Sequence, residues 1–396
     1  MKNFADEMRI DETMITNDAL TGEALFKHVQ VLADDIGPRP AGHPQEEQAR
    51  HYVRGQLERI GITDVETIPF DTIDTWGYGL ISSVGVGLIG NLIGNRIIGG
   101  GLALLGLREH FATLTAQDNL LNPLFPKRKG GTVIAKIAPK GDVKHKIVLI
   151  GHVDSNKHRK SFVPQGKKLL LPASTAMTAG LSINLWALLT GKQSLRRVAG
   201  GLLGFALWRL IQDERDDYID GANDNASAVA CVLGLGEYFA QHPLAHTEIW
   251  LAFTGSEEVG LKGLHALLDR YEDDLRDAWW IDFEMVGAGD IGYVTRHSSL
   301  NYLTAYHPHE EMVAIAQKVA EKHPEWGIKG TPMTILEETL PLRQKGMRAM
   351  CVVGIGEDGW LVNWHQHDDH SDNIRPESLQ KAAHFVLAMC QEIDNM

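Results

Sequence analysis

Five apolar runs of eight or nine residues recur along the chain, and helical patterns separate most of them. The runs are rich in Val, Ile, Leu, Phe and Trp, as buried strands are. Continuous apolar strands that alternate with helices predict an α/β fold of three layers (α/β/α), with a mostly parallel central sheet. The runs are GTVIAKIA, KIVLIGHV, HTEIWLAFT, AWWIDFEMV and RAMCVVGIG.

Residues 1–20 are polar and predict a loose N-terminal tail, and residues 21–396 form the predicted main domain. Thr21 is the predicted N-cap of a helix through Asp34, and a second helix is predicted from Glu46 to Ile60. The start of the chain has no basic, apolar leader, so we expect a cytoplasmic protein. Three scattered cysteines, Cys231, Cys351 and Cys390, agree with a reducing compartment.

Two apolar, glycine-rich stretches interrupt this plan, at about residues 77–108 and 165–212. Polar residues near the middle of each stretch predict a pair of helices. Gly90 and Gly94, and likewise Gly200 and Gly204, have the spacing that lets helices approach closely. An added helical layer, a homo-oligomer interface and contact with a membrane surface remain open for both stretches. The second begins soon after His152, so we hypothesise that it forms an apolar lid that favours hydrophobic ligands.

Polar residues follow the apolar runs, where the carboxyl ends of parallel strands form active sites. Glu257 and Glu258 follow one run, and His152 closes another in the sequence HVD, so that Asp154 can orient the imidazole. Glu284 ends a third run, with Asp282 as a competing carboxylate. Each signal alone also fits a surface turn.

The other two segments with metal-type residues are loops. Asp224 precedes a helix in DGANDNASAVA, which fits a helix cap as well as a bridging carboxylate. WHQHDDHSDN carries His365, His367 and His370. Mixed histidine and carboxylate donors suit Zn²⁺. The net charge of −13 argues against a nucleic-acid partner.

In chain order, which is HVD, Asp224, the Glu257–Glu258 pair, Glu284 and His365, the motifs resemble those of the co-catalytic dizinc exopeptidases, which include bacterial leucyl aminopeptidases, aminopeptidase S and glutamate carboxypeptidase. The resemblance covers most of residues 22–394 and leaves out the two apolar stretches. Its main segments are LADDIGPRPAGHP, GHVDS, GANDNASAVA, SEEVGLKG, EMVG and WHQHDDHSDNIRPESL. It departs at Glu284, where the family more often has Asp. It also departs at residues 337–347, where relatives often carry Ser-Asp-His before the proline.

The resemblance implies two Zn²⁺ per chain and a peptide substrate. One ion would be held by His152, Asp224 and Glu284, and the other by Asp224, Glu258 and His365. Glu257 would be the general base, Asp154 would orient His152, and Asp369 would have a supporting part near His365. We expect an aminopeptidase that removes N-terminal residues. The alternatives are a carboxypeptidase or dipeptidase on the same core, a glutaminyl-cyclase-like acyl transferase with one zinc, and a binding protein that keeps the fold.

Overall fold

The five apolar runs become strands of a single sheet. In this computed structural model, which describes residues 18–117, 119–162, 167–298, 300 and 305–396, the sheet has nine strands. They are β1 (Val65–Thr72), β2 (Arg128–Ile137), β3 (His145–His152), β4 (Thr247–Thr254), β5 (Trp279–Glu284), β6 (Asp290–Ser298), β7 (Ala305–Tyr306), β8 (Lys329–Thr334) and β9 (Arg348–Ile355).

The order of the strands is β1-β2-β4-β3-β5-β9-β6-β7, with β8 paired to β6. The four central strands β4, β3, β5 and β9 run parallel, so their carboxyl ends share one edge. β1, β2, β6 and β7 join antiparallel at the two sides. The predicted α/β sheet is confirmed, and its parallel part is the part that carries the candidate site.

Helices cover both faces of the sheet. On one face α1, α2, α7, α9 and α11 bury a large core that includes Leu149, Phe239 and Phe385. On the other face α8 and α10 pack over Trp280 and Ile150. The bounds are α1 (Gly22–Gln30), α2 (Pro44–Arg59), α3 (Gly77–Ile93), α4 (Ile98–Leu114), α5 (Lys167–Thr190), α6 (Gln193–Asp213), α7 (Ser227–Gln241), α8 (Lys262–Leu275), α9 (Glu310–Lys322), α10 (Thr339–Gln344) and α11 (Pro376–Asp394).

The first two helices lie close to their predicted positions. The hydroxyl of Thr21 accepts a hydrogen bond from the backbone N–H of Ala24 at 3.2 Å, so the predicted cap of α1 is confirmed. The helix continues as a wider turn to Ile36 and ends at Gly37, whose φ of 77° favours glycine. Residues 1–17 of the predicted tail lie outside the described residues.

Each apolar stretch forms a helical hairpin, as predicted: α3 with α4, and α5 with α6. A Cβ on Gly90 would lie 2.6 Å from the carbonyl oxygen of Gly99, so glycine allows α3 and α4 to touch. Gly204 faces open space, so the predicted close approach is wrong there. No described helix is long and apolar enough to cross a membrane. Residues 165 and 166 of the second predicted stretch lie outside the described part of the chain.

Buried polar side chains join the two hairpins. Asn91 donates to the side-chain oxygen of Asn184 at 2.6 Å and to the backbone oxygen of Arg196 at 2.8 Å. Asn184 in turn donates to the backbone oxygen of Gly87 at 2.8 Å. Unpaired amides are costly inside an apolar interface, so these bonds fix how the hairpins pack.

His110 adds a further link between the hairpins and predicts a pH effect. Its Nε2 lies 2.9 Å from the hydroxyl of Thr178, and burial lowers its pKa from 6.5 to about 4. The unfolded chain therefore binds this proton first as the pH falls from 6.5 to 4. We expect the free energy of unfolding to fall by about 3 kcal/mol over that range because of His110.

Thermal melts of the metal-free protein between pH 8 and pH 4 test this expectation. His110→Gln should remove much of the acid-induced loss of stability. His51→Gln, at an exposed position of α2, is the matched control and should leave that loss unchanged. An equal pH dependence in both variants would contradict the assignment.

Candidate metal centre

The predicted site residues meet at the carboxyl edge of the parallel strands. His152 is the last residue of β3, Glu284 is the last residue of β5, and Glu257 and Glu258 follow β4. Asp224 comes from the loop before α7. The described structure also brings His365 to this point, from the segment between β9 and α11.

Asp224 lies at the centre of the cluster. Its Oδ1 is 3.3 Å from Nε2 of His152, and its Oδ2 is 3.3 Å from Nε2 of His365. On one side Oε2 of Glu284 is 3.8 Å from Nε2 of His152. On the other side Oε1 of Glu258 is 3.2 Å from Nε2 of His365. One carboxylate thus separates two histidine and glutamate pairs.

The donor atoms form two groups that share Asp224. His152, Asp224 and Glu284 form one group of donors within 4.8 Å of one another, and Asp224, Glu258 and His365 form another. Nε2 of His152 and Oδ2 of Asp224 are buried and have no hydrogen-bond partner. Unpartnered donors at the centre of a buried carboxylate cluster are what a cation would satisfy. The set of nitrogen and oxygen donors suits zinc.

The buried charges also shift one another's protonation. Burial lowers the pKa of His152, but the carboxylates of Asp154 and Asp224 outweigh burial and raise this pKa well above its usual value. Burial likewise opposes the charged form of His365, yet Glu258 and Asp224 raise its pKa to about 9. The pKa of Asp224 is low, because the two histidines outweigh its burial. Zinc binding would therefore release protons from the histidines.

Asp154 connects two parts of the site. Its Oδ1 is 3.4 Å from Nδ1 of His152, although the hydrogen bond of that nitrogen is to the Asp154 backbone oxygen, at 3.1 Å. The two carboxylate oxygens also accept the backbone N–H groups of Glu257 and Glu258, at 3.0 and 3.1 Å. The geometry supports a positioning part for Asp154 toward the two glutamates as well as toward His152.

Glu257 lies beside the cluster and lines a small cavity of about 100 Å³ next to it. Its Oε2 is 3.9 Å from Nε2 of His152. Burial and the neighbouring carboxylates Glu258 and Glu284 raise its pKa well above the usual value for Glu. A raised pKa makes a carboxylate a better proton acceptor, which suits a general base. Its donor atom also groups with those of His152 and Glu258, so it lies within reach of a metal held there.

Asp369 positions the loop of Asp224 by accepting backbone N–H groups, as Asp154 does for Glu257 and Glu258. Its two oxygens accept the backbone N–H groups of Asn223 and Asp224, at 2.6 and 3.1 Å. Burial and the charge of Asp224 raise the pKa of Asp369 to about 7. The supporting part predicted for Asp369 is thus directed at the loop of Asp224. Asn156, which the sequence did not single out, donates to Oε2 of Glu258 at 2.6 Å.

Asp282 and Glu284 belong to different clusters. Glu284 groups with His152 and Asp224, whereas Asp282 groups with Glu337 and Cys351 deeper under the sheet edge. Glu338 accepts the hydroxyl of Thr254 at 3.0 Å. The segment that departs from the family pattern therefore places two buried carboxyl groups close to the site.

The three histidines of the C-terminal loop have separate surroundings. His365 faces Asp224 and Glu258, and its φ of 53° is in the left-handed region. The ring of His367 stacks on that of His158, with 4.0 Å between centroids. His370 is 3.8 Å from the exposed Asp372. Of the three, the structure brings only His365 to the cluster.

Arg39 is a positioning residue that sequence reasoning missed. It is fully buried and donates to five backbone carbonyl oxygens, which belong to Leu32, Gly37, Val153, Asp220 and Gly221. Burial lowers its pKa to about 10, so it stays charged. Arg39 thus ties the strand end at Val153 to the loop that leads to Asp224. The sequence feature that could have drawn attention to Arg39 is its position between two prolines.

Arg39→Met should lower the free energy of unfolding of the metal-free protein by about 3 kcal/mol or more, because it leaves several buried carbonyl groups unpaired. It should also weaken zinc binding, since both loops lose their common anchor. Urea unfolding and zinc titration measure the two effects. Arg54→Met, on the exposed side of α2, is the control and should change neither. Unchanged stability of Arg39→Met would contradict the anchoring of the two loops by Arg39.

The sequence itself identifies the family. Residues 132–390 match Peptidase family M28, which is well over half of the chain. The chain belongs to peptidase family M28. The resemblance stated from the motifs is therefore confirmed, and with it a metallopeptidase of the zinc exopeptidase type. A comparison with curated proteins finds no match.

Solved structures show the same M28 fold at low sequence identity. A zinc aminopeptidase from Bacillus subtilis aligns with a TM-score of 0.59 and 14% identity, over 94% of this chain and 95% of that one. A glutaminyl cyclase from Bacteroides thetaiotaomicron, solved with N-acetylhistamine, aligns with a TM-score of 0.57 and 16% identity, over 94% and 98%. A Zn-dependent exopeptidase from Parabacteroides distasonis aligns with a TM-score of 0.54 and 14% identity, over 93% and 97%.

These M28-like structures include both peptidases and cyclases. The shared architecture therefore leaves the reaction to be decided by the site of this chain. The α3–α4 hairpin precedes residue 132, so it lies before the region that matches the M28 family.

Proposed function

We propose that this M28 chain is an aminopeptidase that uses two zinc ions to hydrolyse N-terminal residues from peptides. The observation that carries the proposal is the position of Asp224, with one carboxylate oxygen 3.3 Å from each of two histidines. His152 and Glu284 would complete one zinc site, and Glu258 and His365 the other. A shared carboxylate is the usual way to hold two metal ions close together.

The chain's own groups account for the proton transfers. Zinc bound at such a site supplies Lewis-acid chemistry, which polarises an amide carbonyl and makes water more acidic. Glu257 is placed to accept a proton from the attacking water and to deliver it to the leaving amine. Asp154 keeps Glu257 in place through its backbone N–H, at 3.0 Å. The buried surroundings strengthen these electrostatic effects.

The choice of an amine terminus is supported by a structural neighbour. Asp224, Glu258 and Glu284 line the pocket, but as zinc ligands their charges would be balanced by the metal ions. A zinc aminopeptidase from Bacillus subtilis has the same fold. This supports an aminopeptidase over a carboxypeptidase on the same core.

Glutaminyl cyclisation is the second candidate, because cyclases occur among the structural neighbours. The cyclases resembled by this chain work with one zinc, whereas the donor atoms here form two complete groups. The two activities therefore predict different metal contents.

Metal content per chain tests the proposal, after chelation, reloading with zinc and removal of the excess. We expect about two zinc ions per chain, and hydrolysis of aminoacyl 4-nitroanilides that is lost with chelator and restored by zinc. One zinc per chain together with cyclisation of N-terminal glutaminyl peptides would replace the proposal with the cyclase. Full binding of two ions without any turnover of either substrate would also contradict it.

A further inference from the structure

A large apolar cleft lies beneath the two hairpins, next to the metal centre. Its volume is about 510 Å³, within the roughly 300–1,000 Å³ that is typical of ligand pockets. Its walls come mainly from α5, α6 and the start of α3. The side chains that form the apolar part include Trp76, Leu80, Leu114, Phe162, Leu170, Met177, Leu203, Ala206 and Leu210.

The polar groups of the cleft are largely paired with one another. Arg159 forms an ion pair with Glu214, and Arg209 lies 3.6 Å from Asp213. Paired charges have little left to offer a polar ligand, and the remaining wall is hydrocarbon. The cleft therefore suits an apolar group of considerable length.

The cleft opens on the candidate site. Trp76, Leu114, Phe162 and Leu300 line both the cleft and the pocket that contains the candidate metal-binding residues. The ring of Phe162 lies 4.7 Å from the ring of His365, centroid to centroid. A chain that lies in the cleft would thus end beside the reacting amide.

We propose that this cleft holds a long, unbranched alkyl chain of the substrate while the metal centre hydrolyses the amide next to it. The substrate class is then an amide of an amino acid that carries a fatty chain. This inference rests on the proposed aminopeptidase chemistry, and the cleft itself can be tested without it.

Two series of substrates test the inference, one with the chain on the leaving amine (leucine alkylamides, propyl to tetradecyl) and one with the chain on the N-terminal residue (2-aminoalkanoyl 4-nitroanilides). In at least one series kcat/KM should rise about fourfold per methylene until the cleft is full. Ala206→Phe should abolish the rise and leave the shortest substrate unaffected. Gly204→Phe, on the same helix with open space at its Cβ, should keep the rise.

Fluorescence of bound cis-parinaric acid measures the cleft independently of hydrolysis. Binding to wild type and Gly204→Phe, and its loss in Ala206→Phe, would uphold the cleft even if no amide were cleaved. Hydrolysis without dependence on chain length, together with no binding of the fatty acid, would overturn the cleft and leave the proposed function standing. Met177→Trp repeats the test from the facing helix if Ala206→Phe does not fold.

A separate observation concerns the outer ends of the same hairpins. Where α3 meets α4, Leu92 and Ile97 are 74% and 84% exposed, and near the end of α5 Trp186 is 58% exposed. The two ends lie together, because Arg196 donates to the backbone oxygen of Gly94 at 3.3 Å. We call this exposed apolar surface the hairpin tip. It comprises Leu92, Ile93, Ile97, Ile98, Trp186, Leu189 and Val198.

The charge around the hairpin tip is opposite to that of the whole protein. Residues 91–100 and 186–198 contain no Asp or Glu and four Lys or Arg, one in the first range and three in the second, whereas the net charge of the chain is −13. Arg96, Lys192 and Arg197 are exposed beside the apolar side chains. Exposed apolar groups with a basic rim are typical of surfaces that bind anionic bilayers.

We infer that the hairpin tip docks on an anionic lipid bilayer. Co-sedimentation with vesicles measures this, with phosphatidylcholine alone or mixed with phosphatidylglycerol. The wild type should bind the mixed vesicles at least tenfold more tightly than the neutral ones. Both the Leu92→Ser/Ile97→Ser/Trp186→Ser variant and the Arg96→Ser/Lys192→Ser/Arg197→Ser variant should lose this binding.

Leu124→Ser is the matched control, because Leu124 is 77% exposed and lies outside both hairpins. It should bind vesicles as the wild type does. Light scattering on the same proteins tests the alternative, in which the hairpin tip binds a second copy of the chain. A wild type that ignores vesicles, and forms a dimer that the Leu92→Ser/Ile97→Ser/Trp186→Ser variant lacks, would assign the surface to a second copy of the chain. A monomer without vesicle binding would overturn the inference as well.

Discussion

Glu257→Gln should retain both zinc ions and lose about 10²–10⁴-fold in kcat, because the amide cannot accept the proton that the carboxylate takes from water. The side chain keeps its size, and Asp154 still holds the backbone N–H of residue 257. KM should change little, since Glu257 acts mainly in the transition state. Stopped assays on an aminoacyl 4-nitroanilide, with zinc content measured on the same samples, test this.

Glu258→Gln tests whether Glu257 and Glu258 have different roles. Oε1 of Glu258 is 3.2 Å from Nε2 of His365, so its loss should weaken one zinc site and lower activity in a way that added zinc partly restores. Excess zinc should not rescue Glu257→Gln. If Glu257→Gln stays near wild-type activity, or if zinc rescues it, the base lies elsewhere.

Asp224→Ala should abolish activity and lower zinc content from about two ions to less than one. The reason is geometric, since the Asp224 carboxylate reaches toward both histidines and both groups of donors depend on it. Removing the Asp224 carboxylate also leaves the buried histidines and glutamates without a shared neighbour. Circular dichroism should therefore be used to check that the variant is folded.

Asp369→Asn is the graded comparison for Asp224→Ala. It keeps every candidate ligand and alters only the acceptor for the N–H groups of Asn223 and Asp224. We expect zinc affinity to fall by about 10–100-fold, as is usual for partners that orient a ligand. Two tightly bound ions in Asp224→Ala would refute the bridging arrangement.

Much of this site could be predicted because it obeys local rules. His152 and Glu284 end apolar strands, and parallel strands deliver their ends to one edge. The metal-type residues were therefore visible as polar ends of apolar runs. Their division into two sets came from the family resemblance and stays a prediction; in the structure Asp224 lies 3.3 Å from His152 and from His365.

The parts that escaped prediction depend on contacts between distant segments. Arg39 reads as a surface residue in a loop, and only the fold brings the carbonyl groups of Val153 and Gly221 to it. Gly204 is a second example. Its spacing from Gly200 predicts a close contact between helices, but in the structure Gly204 faces open space. Helix spacing shows which residues share a face of a helix, and it does not show which faces meet.

The bonds of Asn91 and Asn184 make the two hairpins one cooperative unit, even though about ninety residues of chain separate them. Deleting one hairpin would expose an apolar face of the other hairpin and leave its buried amide without a partner. A shortened enzyme should therefore lack both hairpins or neither.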